Sequence, residues 1–192
     1  MLLRVLLLLL IALPAFAQSP APGWISDPRT GCKVWHHNPQ PGDNISWSGT
    51  CPRGMAQGRG TLQLYKDGKA THSFEGEFRD GKPNGRGVWR AANGDRYEGE
   101  YRDGKLTGRV VYIYANGDRY EGDLRDSKPD GRGAFTYANG ARYEGEYRHG
   151  KPNGFGTFTK GDSVFSGTWT NGCFKQGNWG MGIGASKADC GF

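Results

Sequence analysis

A tract of nine residues, Tyr-Glu-Gly-Glu-Tyr-Arg-Asp-Gly-Lys, recurs with small changes through the middle of the 192-residue chain. Its copies stand 23 residues apart and begin at Phe74, Tyr97, Tyr120 and Tyr143. Degenerate copies begin at Phe165, 22 residues after the fourth, and at Trp47, 27 residues before the first. A fixed period of this length is typical of a linear array in which one supersecondary unit stacks on the next. About five to six units are expected, and such arrays present a surface more often than a reaction centre.

Each unit contains two strand-like runs and two turn signals. In residues 97–102, aromatic residues or glycine alternate with charged residues, which is the period-two pattern of a strand. Asp103-Gly104-Lys105 is a turn signal, residues 108–114 form a second strand, and Asn116-Gly117 supplies the positive-φ residues of a tight hairpin turn. Two strands joined by such short turns must be antiparallel neighbours. The pattern predicts an all-β fold: an elongated, single-layer, twisted antiparallel sheet of repeated β-hairpins with about ten to twelve strands.

The core of such a sheet should be thin and aromatic, because the chain is poor in apolar residues and contains 33 glycines. Glycines between the aromatic positions would let rings lie flat over the backbone. These glycines are Gly76, Gly99, Gly122 and Gly145. In the second strands, Trp89, Tyr112, Phe135 and Phe158 fall at equivalent positions and are expected to form one aromatic ladder.

Ten aromatic residues make up a candidate binding face. They are Phe74, Trp89, Tyr97, Tyr101, Tyr112, Tyr120, Phe135, Tyr143, Tyr147 and Phe158. Aromatic rows beside Arg and Lys can stack on sugars or bases while the cations pair with phosphate or uronate. Alternatively, the rings are the only core that a one-layer sheet has, and this second interpretation is favoured.

The first 17 residues have the pattern of a cleavable signal peptide. Arg4 supplies a positive charge, residues 5–13 are an unbroken apolar run, and Ala15-Phe16-Ala17 is a small-x-small cleavage site. The run is shorter than the roughly 20 residues that span a bilayer. We therefore expect cleavage after Ala17 and a periplasmic or secreted protein.

Four zones follow along the chain. They are a signal peptide at 1–17, a Pro/Gly-rich N-terminal cap at 18–46, the repeat array at 47–172 and a Gly-rich C-terminal cap at 173–192. The prolines of the N-terminal cap argue against a helix there. Trp24, Trp35 and Trp47 give it apolar mass that should pack over the first repeat.

Four cysteines flank the array in two pairs: Cys32 and Cys51 before it, Cys173 and Cys190 after it. An even number in an exported chain indicates disulfides, and four cysteines allow three connectivities. We expect Cys32–Cys51 and Cys173–Cys190, because the repeats should hold the two pairs far apart. Closing a loop of this size stabilises a fold by roughly 3 kcal/mol. A structural zinc site is the weaker alternative, since the spacings lack a C-x-x-C motif.

The tracts resemble membrane occupation and recognition nexus (MORN) repeats, whose consensus is approximately Y-x-G-x-[WY]-x-x-G-x-x-x-G-x-G. Residues 97–108 (YEGEYRDGKLTG), 143–156 (YEGEYRHGKPNGFG) and 74–87 (FEGEFRDGKPNGRG) match this pattern closely. The unit at 120–133 departs from it at Leu124 and Ser127. The unit at Tyr97 departs at Val110, where the last glycine is expected.

This resemblance covers roughly two-thirds of the chain that would remain after cleavage. It implies an elongated sheet that mediates protein association, sometimes dimerisation, and in some members contact with phospholipids. The N-terminal cap resembles the extension that precedes such repeats in exported bacterial proteins. The repeats also occur beside the catalytic domains of lipid kinases and a methyltransferase, but neither domain has room here, so the resemblance implies no enzyme.

Candidate catalytic and metal-binding groups are few. The carboxylate pairs Glu75/Glu77, Glu98/Glu100, Glu121/Asp123 and Glu144/Glu146 recur in every unit. Such repetition favours a structural row paired with Arg and Lys of neighbouring strands over acid–base catalysis, which needs two carboxylates in different environments. The pair His36-His37 supplies only two ligands, and the GRG tracts precede no helix that could hold phosphate. We expect no catalytic residue, no metal and no cofactor.

The sequence therefore favours a non-enzymatic scaffold that binds a protein partner in the periplasm or cell envelope. After cleavage the chain would carry 24 Lys and Arg against 19 Asp and Glu, with signs that alternate within each repeat. Because this pattern forms no basic stripe, no nucleic acid is expected. The alternative function is binding of anionic phospholipid or cell-wall glycan, and hydrolase activity is a third, weaker hypothesis. Edge strands could also pair between two copies to give a homodimer.

Overall fold

A computed structural model describes residues 23–191. The predicted signal peptide, with cleavage after Ala17, lies outside these residues. Within them the chain forms one sheet of thirteen strands in sequence order, from β3 to β15, and a separate two-stranded hairpin of β1 and β2. Every pairing between neighbouring strands is antiparallel, and β3 and β15 do not pair with each other. The predicted all-β, single-layer hairpin sheet is confirmed.

The strands follow the hairpin periodicity of the sequence. Their bounds are β1 (Gly23–Ser26), β2 (Lys33–His36), β3 (Asp43–Trp47), β4 (Gly58–Lys66), β5 (Lys69–Arg79), β6 (Lys82–Arg90), β7 (Arg96–Arg102), β8 (Lys105–Ile113), β9 (Arg119–Arg125), β10 (Lys128–Thr136), β11 (Arg142–Arg148), β12 (Lys151–Lys160), β13 (Ser163–Thr170), β14 (Cys173–Gln176) and β15 (Trp179–Gly182). A single 3₁₀ turn, Pro52–Gly54, lies before β4. The sheet exceeds the expected ten to twelve strands because β3 begins before the first degenerate repeat and the C-terminal cap adds β14 and β15. No helix in the described part of the chain is long and apolar enough to cross a membrane.

The tight two-residue turns lie at Asp-Gly rather than at Asn-Gly. Asp103 and Gly104 have φ values of +49° and +82°, and they alone separate β7 from β8. This is the type I′ geometry that matches strand twist. At the other end of the unit only Gly117 has a positive φ, and the Asn116 side chain accepts a hydrogen bond from the Asp118 amide in a longer loop. The prediction that Asn116-Gly117 supplies both positive-φ residues of a tight turn was therefore wrong, because the asparagine side chain organises a wider turn.

Buried side chains collect on one side of the sheet in two clusters. The first centres on Phe74 and Phe78 and is covered by Val34 and Cys32 of the β1–β2 hairpin region. The second centres on Tyr120, Tyr143 and Trp169. Leu106 packs against both clusters. The two clusters therefore meet at the second complete repeat, which begins at Tyr97 and contributes Tyr101 to the first cluster and Val110 to the second.

Candidate aromatic interaction surface

One side of the sheet, here called the aromatic face, carries a continuous row of rings in register across nine strands. Cross-strand partners follow in the order Phe74, Trp89, Tyr97, Tyr112, Tyr120, Phe135, Tyr143, Phe158 and Phe165. The predicted ladder of Trp89, Tyr112, Phe135 and Phe158 is thus every second member of a longer row. The first-strand rings Tyr97, Tyr120 and Tyr143 lie between these four, because each of them is directly opposite a second-strand ring on both neighbouring strands.

Three first-strand rings lie flat over pairs of glycines, as the glycine spacing predicts. A Cβ atom at Gly145 would come within 2.6 Å of the Tyr143 hydroxyl, and Gly156 lies under the same ring. Phe74 covers Gly76 and Gly87, and Tyr120 covers Gly122 and Gly133. These three rings are 0%, 1% and 0% exposed for Phe74, Tyr120 and Tyr143 respectively. The Tyr120 and Tyr143 hydroxyls donate to the carbonyl oxygens three residues ahead, at 2.9 and 3.1 Å.

Tyr97 does not take this position, because Val110 stands where its unit would need the second glycine. Val110 is the cross-strand partner of Gly99 and is only 1% exposed. Its Cγ1 occupies the space over Gly99 that the ring covers in the other units. Tyr97 is therefore half-buried, and its hydroxyl donates to Asp95 Oδ2 at 3.1 Å. Burial and the hydrogen bond to this carboxylate raise the pKa of Tyr97 to about 12.

Tyr97 is the first of five half-buried rings that follow one another along the Asn-Gly side of the sheet. We define this outer strip as Tyr97, Tyr112, Tyr114, Phe135 and Tyr137. Successive ring centroids are 4.6, 6.1, 5.9 and 4.7 Å apart. Within residues 23–191, the hydroxyls of Tyr112, Tyr114 and Tyr137 have no hydrogen-bond partner. Burial raises the pKa of each of these three tyrosines above its ordinary value.

A second row on the same face lies toward the Asp-Gly turns and forms the floor of the core. Its first-strand members are Phe78, Tyr101, Leu124, Tyr147 and Trp169, all buried. Each is opposite a residue just past the turn, namely Pro83, Leu106, Pro129, Pro152 and Phe174. The Tyr147 hydroxyl is buried without a hydrogen-bond partner.

The ten residues of the candidate binding face therefore divide into two groups. Six are buried core residues: Phe74, Tyr101, Tyr120, Tyr143, Tyr147 and Phe158. Four remain half-buried, namely Trp89, Tyr97, Tyr112 and Phe135. Tyr114 and Tyr137 complete the outer strip but were absent from the prediction. Their positions, two residues after an aromatic of the second strand and before Ala-Asn-Gly, were the available signal.

The opposite side of the sheet, here called the charged face, carries the carboxylate pairs. Glu121 accepts hydrogen bonds from Arg119 at 2.7 Å and from Arg109 at 2.9 Å. These two arginines lower the pKa of Glu121. Arg86 pairs with Glu100 across strands at 3.1 Å. The structural interpretation holds for these pairs, although Arg119 lies on the same strand as Glu121 rather than on a neighbour.

Charges of both signs line the two shallow depressions on the charged face, which have volumes of about 540 and 680 Å³. Arginine and carboxylate side chains alternate around both. Among residues 23–191 there is no group of three or more His, Cys, Asp or Glu side chains placed to hold a metal ion. His36 accepts a hydrogen bond from the Asn38 amide, and burial lowers the pKa of its imidazole.

Both ends of the sheet are tied by disulfides. Cys32 is bonded to Cys51 and Cys173 to Cys190, with Cα–Cα distances of 5.8 and 5.4 Å. These two pairs are the ones that the sequence predicts, and their geometry fits disulfide bonds. The first disulfide holds the start of β2 close to the segment that leads into β4.

An open sheet of stacked hairpins, aromatic on one face and charged on the other, defines a β-repeat protein. The MORN repeat family model matches four consecutive segments, residues 74–96, 97–119, 120–142 and 143–163. The resemblance drawn from the sequence is confirmed for these four units. MORN repeats are generally modules that bind protein or lipid, and they are not a known enzyme family.

Comparison with other proteins adds little beyond the repeat. No curated protein matches the sequence. Among solved structures, the chain is similar to the Drosophila melanogaster SAS-4 (dCPAP) TCP domain, which was solved in complex with a proline-rich motif of Ana2 (dSTIL). The two chains are 14% identical with a TM-score of 0.35, and the alignment covers 82% of this chain and 99% of that domain.

Proposed function

We propose that this chain is an exported, non-enzymatic repeat scaffold whose outer strip binds a protein partner in the periplasm or cell envelope. The observation that carries the proposal is the strip itself. It is a row of five half-buried rings, with three free tyrosine hydroxyls, on a face whose other rings are mostly buried. Tyrosine offers a large rigid contact area with a polar tip at low entropic cost, which suits protein recognition.

The repeat geometry supports a platform role. Tyr97, Tyr112 and Phe135 lie on strands that are each paired on both sides within one sheet, which holds their rings at fixed spacings. Tyr114 and Tyr137 follow directly after two of these strands. Export is supported by the signal-like pattern of residues 1–17 and by the two disulfides, since disulfides persist in oxidising compartments.

Affinity capture from an envelope extract tests the proposal. The oxidised chain lacking residues 1–17 is immobilised beside a Tyr114→Ser/Tyr137→Ser variant, which removes the two half-buried rings that lie just after β8 and β10. An Arg86→Ser/Arg132→Ser variant changes the charged face by the same number of residues and serves as control. We expect a stoichiometric protein partner whose recovery falls at least about tenfold only with the tyrosine variant, as for loss of interface hot spots. Recovery of no stoichiometric partner, or equal recovery with both variants, would contradict the proposal.

A second function, contact with an anionic envelope surface, is supported by a different observation. The rim of turns between the first and second strands carries two cations in each of the four complete units: Arg79 and Lys82, Arg102 and Lys105, Arg125 and Lys128, and Arg148 and Lys151. Arg79 lies 4.0 Å from Asp103 and Arg125 lies 3.8 Å from Asp130, so the lysines are the cations more available to a ligand. Successive pairs are about 10 Å apart, two strand spacings. Such a row can follow phospholipid headgroups or anionic glycan.

Sedimentation with anionic phospholipid vesicles and with peptidoglycan tests this second function. Low salt is used because it maximises any electrostatic attraction. We expect binding that is lost on replacing Lys105, Lys128 and Lys151 with Ser and is retained by the tyrosine variant. If neither material sediments the chain at low salt, this function is excluded.

A further inference from the structure

The two ends of the sheet differ in whether their backbone hydrogen-bonding groups are satisfied. At the N-terminal edge, three amides of β3 face away from β4, and each has an acceptor. Asp43 N–H donates to Gln40 O at 3.0 Å, Ile45 N–H to Asn44 Oδ1 at 2.7 Å, and Trp47 N–H to Asp27 Oδ2 at 2.9 Å. A further strand cannot pair with these donors, which is how proteins protect an edge.

At the C-terminal edge, the outward groups of β15 are glycine backbones. The two-residue turn between β14 and β15 makes Gln176 and Trp179 a hydrogen-bonded pair, and the Ile183 amide donates to Gly172 O at 2.7 Å. By the alternation of an antiparallel ladder, Gly180 and Gly182 therefore face away from the sheet. Within residues 23–191, neither amide has an acceptor.

The C-terminal segment after β15 covers a face of the sheet rather than this edge. A Cβ atom at Gly182 would contact Ala185 O and would lie 3.4 Å from Cys190 Sγ. A Cβ atom points away from the mean plane of a sheet, not along its edge. The Cys173–Cys190 disulfide holds this segment in place.

We propose that the β15 edge is a strand-pairing site for a second copy of the same chain, giving a two-fold dimer of antiparallel β15 strands. The register centred on Met181 uses both outward glycines. In it, Gly180 of each copy pairs with Gly182 of the other copy. This arrangement joins the two thirteen-stranded sheets into one. It is independent of the proposed function.

The side chains of β15 are self-complementary in this register. Trp179 and Met181 lie on the aromatic face, where Trp179 is 45% exposed and stacks on Phe165 at 4.7 Å. The two Met181 side chains become neighbours, so the apolar row through Phe174 and Met181 continues into the second copy. β15 carries no charged residue. Lys175 on β14 would be at least three strand spacings, about 14 Å, from its counterpart, which exceeds the Debye length at physiological salt.

Sedimentation equilibrium of the oxidised chain lacking residues 1–17, with a proline and an alanine variant, tests the proposal. Gly180→Pro removes the outward amide without breaking a hydrogen bond within the sheet, and proline is accepted at such positions of edge strands. Gly180→Ala adds a side-chain carbon at the same place but keeps the amide. Because the interface is short, the dimer should be weak and visible only at high concentration. We expect self-association of the wild type and of Gly180→Ala, and a dissociation constant at least about tenfold higher for Gly180→Pro.

A cysteine cross-link provides a measurement that does not depend on the proline variant. Met181→Cys places two thiols at a non-hydrogen-bonded pair across the two-fold axis, where Cα atoms are about 4.5 Å apart, within disulfide range. Val164→Cys is the control, because Val164 is 62% exposed but lies on the charged face away from the edge. We expect a covalent dimer with Met181→Cys and none with Val164→Cys. A chain that stays monomeric up to about 1 mM and does not cross-link through Met181→Cys, or that associates equally with Gly180→Pro, overturns the proposal.

Discussion

The residues beneath each first-strand ring decide how much of that ring reaches solvent. Where both positions are glycine, as under Tyr143, the ring lies on the backbone and is buried. Where Val110 replaces the second glycine, Tyr97 is displaced toward Asp95 and joins the outer strip. A one-residue departure from the repeat thus converts a core ring into part of a surface.

Alanine at two equivalent glycines should have unequal effects on stability. A Cβ atom at Gly145 would lie 2.5 Å from Gly156 Cα and 2.6 Å from the Tyr143 hydroxyl. At Gly99 the nearest atoms are Leu106 Cδ1 at 3.0 Å and Val110 Cγ1 at 3.1 Å. We expect Gly145→Ala to destabilise the fold by about 1–3 kcal/mol through overpacking. Gly99→Ala should stay within about 1 kcal/mol of wild type, since lower unfolded-state entropy offsets its milder crowding. Denaturant unfolding of the oxidised proteins measures both, and equal losses would contradict the glycine-pair explanation.

Removing a hydroxyl should also have opposite effects at two neighbouring tyrosines. The buried Tyr147 hydroxyl has no partner, and other units have Phe78 or Leu124 at this position. We expect Tyr147→Phe to leave stability unchanged or raise it by up to about 1 kcal/mol, because an unsatisfied buried polar group is lost. Tyr143→Phe loses the bond to Glu146 O and should cost about 1 kcal/mol. Thermal unfolding of the two variants compares them directly, and a larger loss for Tyr147→Phe would show that its hydroxyl is satisfied.

At the scale of single strands, the N-terminal edge depends on one buried carboxylate. Asp27 is 0% exposed and accepts hydrogen bonds from the Arg29 and Trp47 amides, both at 2.9 Å. Burial alone would raise the pKa of Asp27, but these amides and the Arg29 guanidinium outweigh it, so the pKa is lowered. The stabilisation is therefore complete above the unfolded-state pKa of about 3.9 and is lost as pH falls through the lower folded-state value.

We expect Asp27→Asn to destabilise the fold at pH 7 by about 1–3 kcal/mol, because one amide keeps no good acceptor. The difference from wild type should begin to shrink below about pH 4, where Asp27 becomes protonated in the unfolded state, and should vanish once pH falls below the lower folded-state pKa. Guanidinium unfolding at pH 7, 5 and 3 measures the difference in free energy of unfolding between the variant and the wild type. Asp162→Asn, at an exposed aspartate, is the control. A difference that does not change with pH would mean that the carboxylate charge of Asp27 contributes nothing.

The strands could be predicted from the sequence because period-two patterning and turn residues repeat in every unit. The distinction between the two turns could not, because Asp-Gly and Asn-Gly both favour positive φ. They are separated by contacts that form only in the folded chain, such as the hydrogen bond from Asp118 N–H to the Asn116 side chain and that from Tyr114 N–H to Asp118 O. The added strands β14 and β15 were also missed, since each is only four residues long and lies outside the repeat, and two of the four residues of β15 are glycine.

At the scale of the whole molecule, the chain is a ribbon with one aromatic and one charged face. At its N-terminal edge the outward amides of β3 already have acceptors, so no further strand can pair with them. The cysteine pairing was predictable because a long array separates the two pairs. Which aromatic residues face solvent was not. The ten candidates occupy three repeat positions, and residues at one position differ in exposure because they depend on cross-strand partners such as Val110 that become neighbours only in the folded sheet.

Photo-crosslinking in the native envelope tests the outer strip as a protein-binding surface most directly. A photoreactive phenylalanine analogue is placed at Tyr114 in the strip or, as a matched aromatic control, at Phe155, which is 62% exposed on the charged face. We expect one discrete protein adduct from position 114 and none from position 155. The absence of an adduct at 114, or equal adducts from both positions, would contradict the assignment of the outer strip as the binding surface.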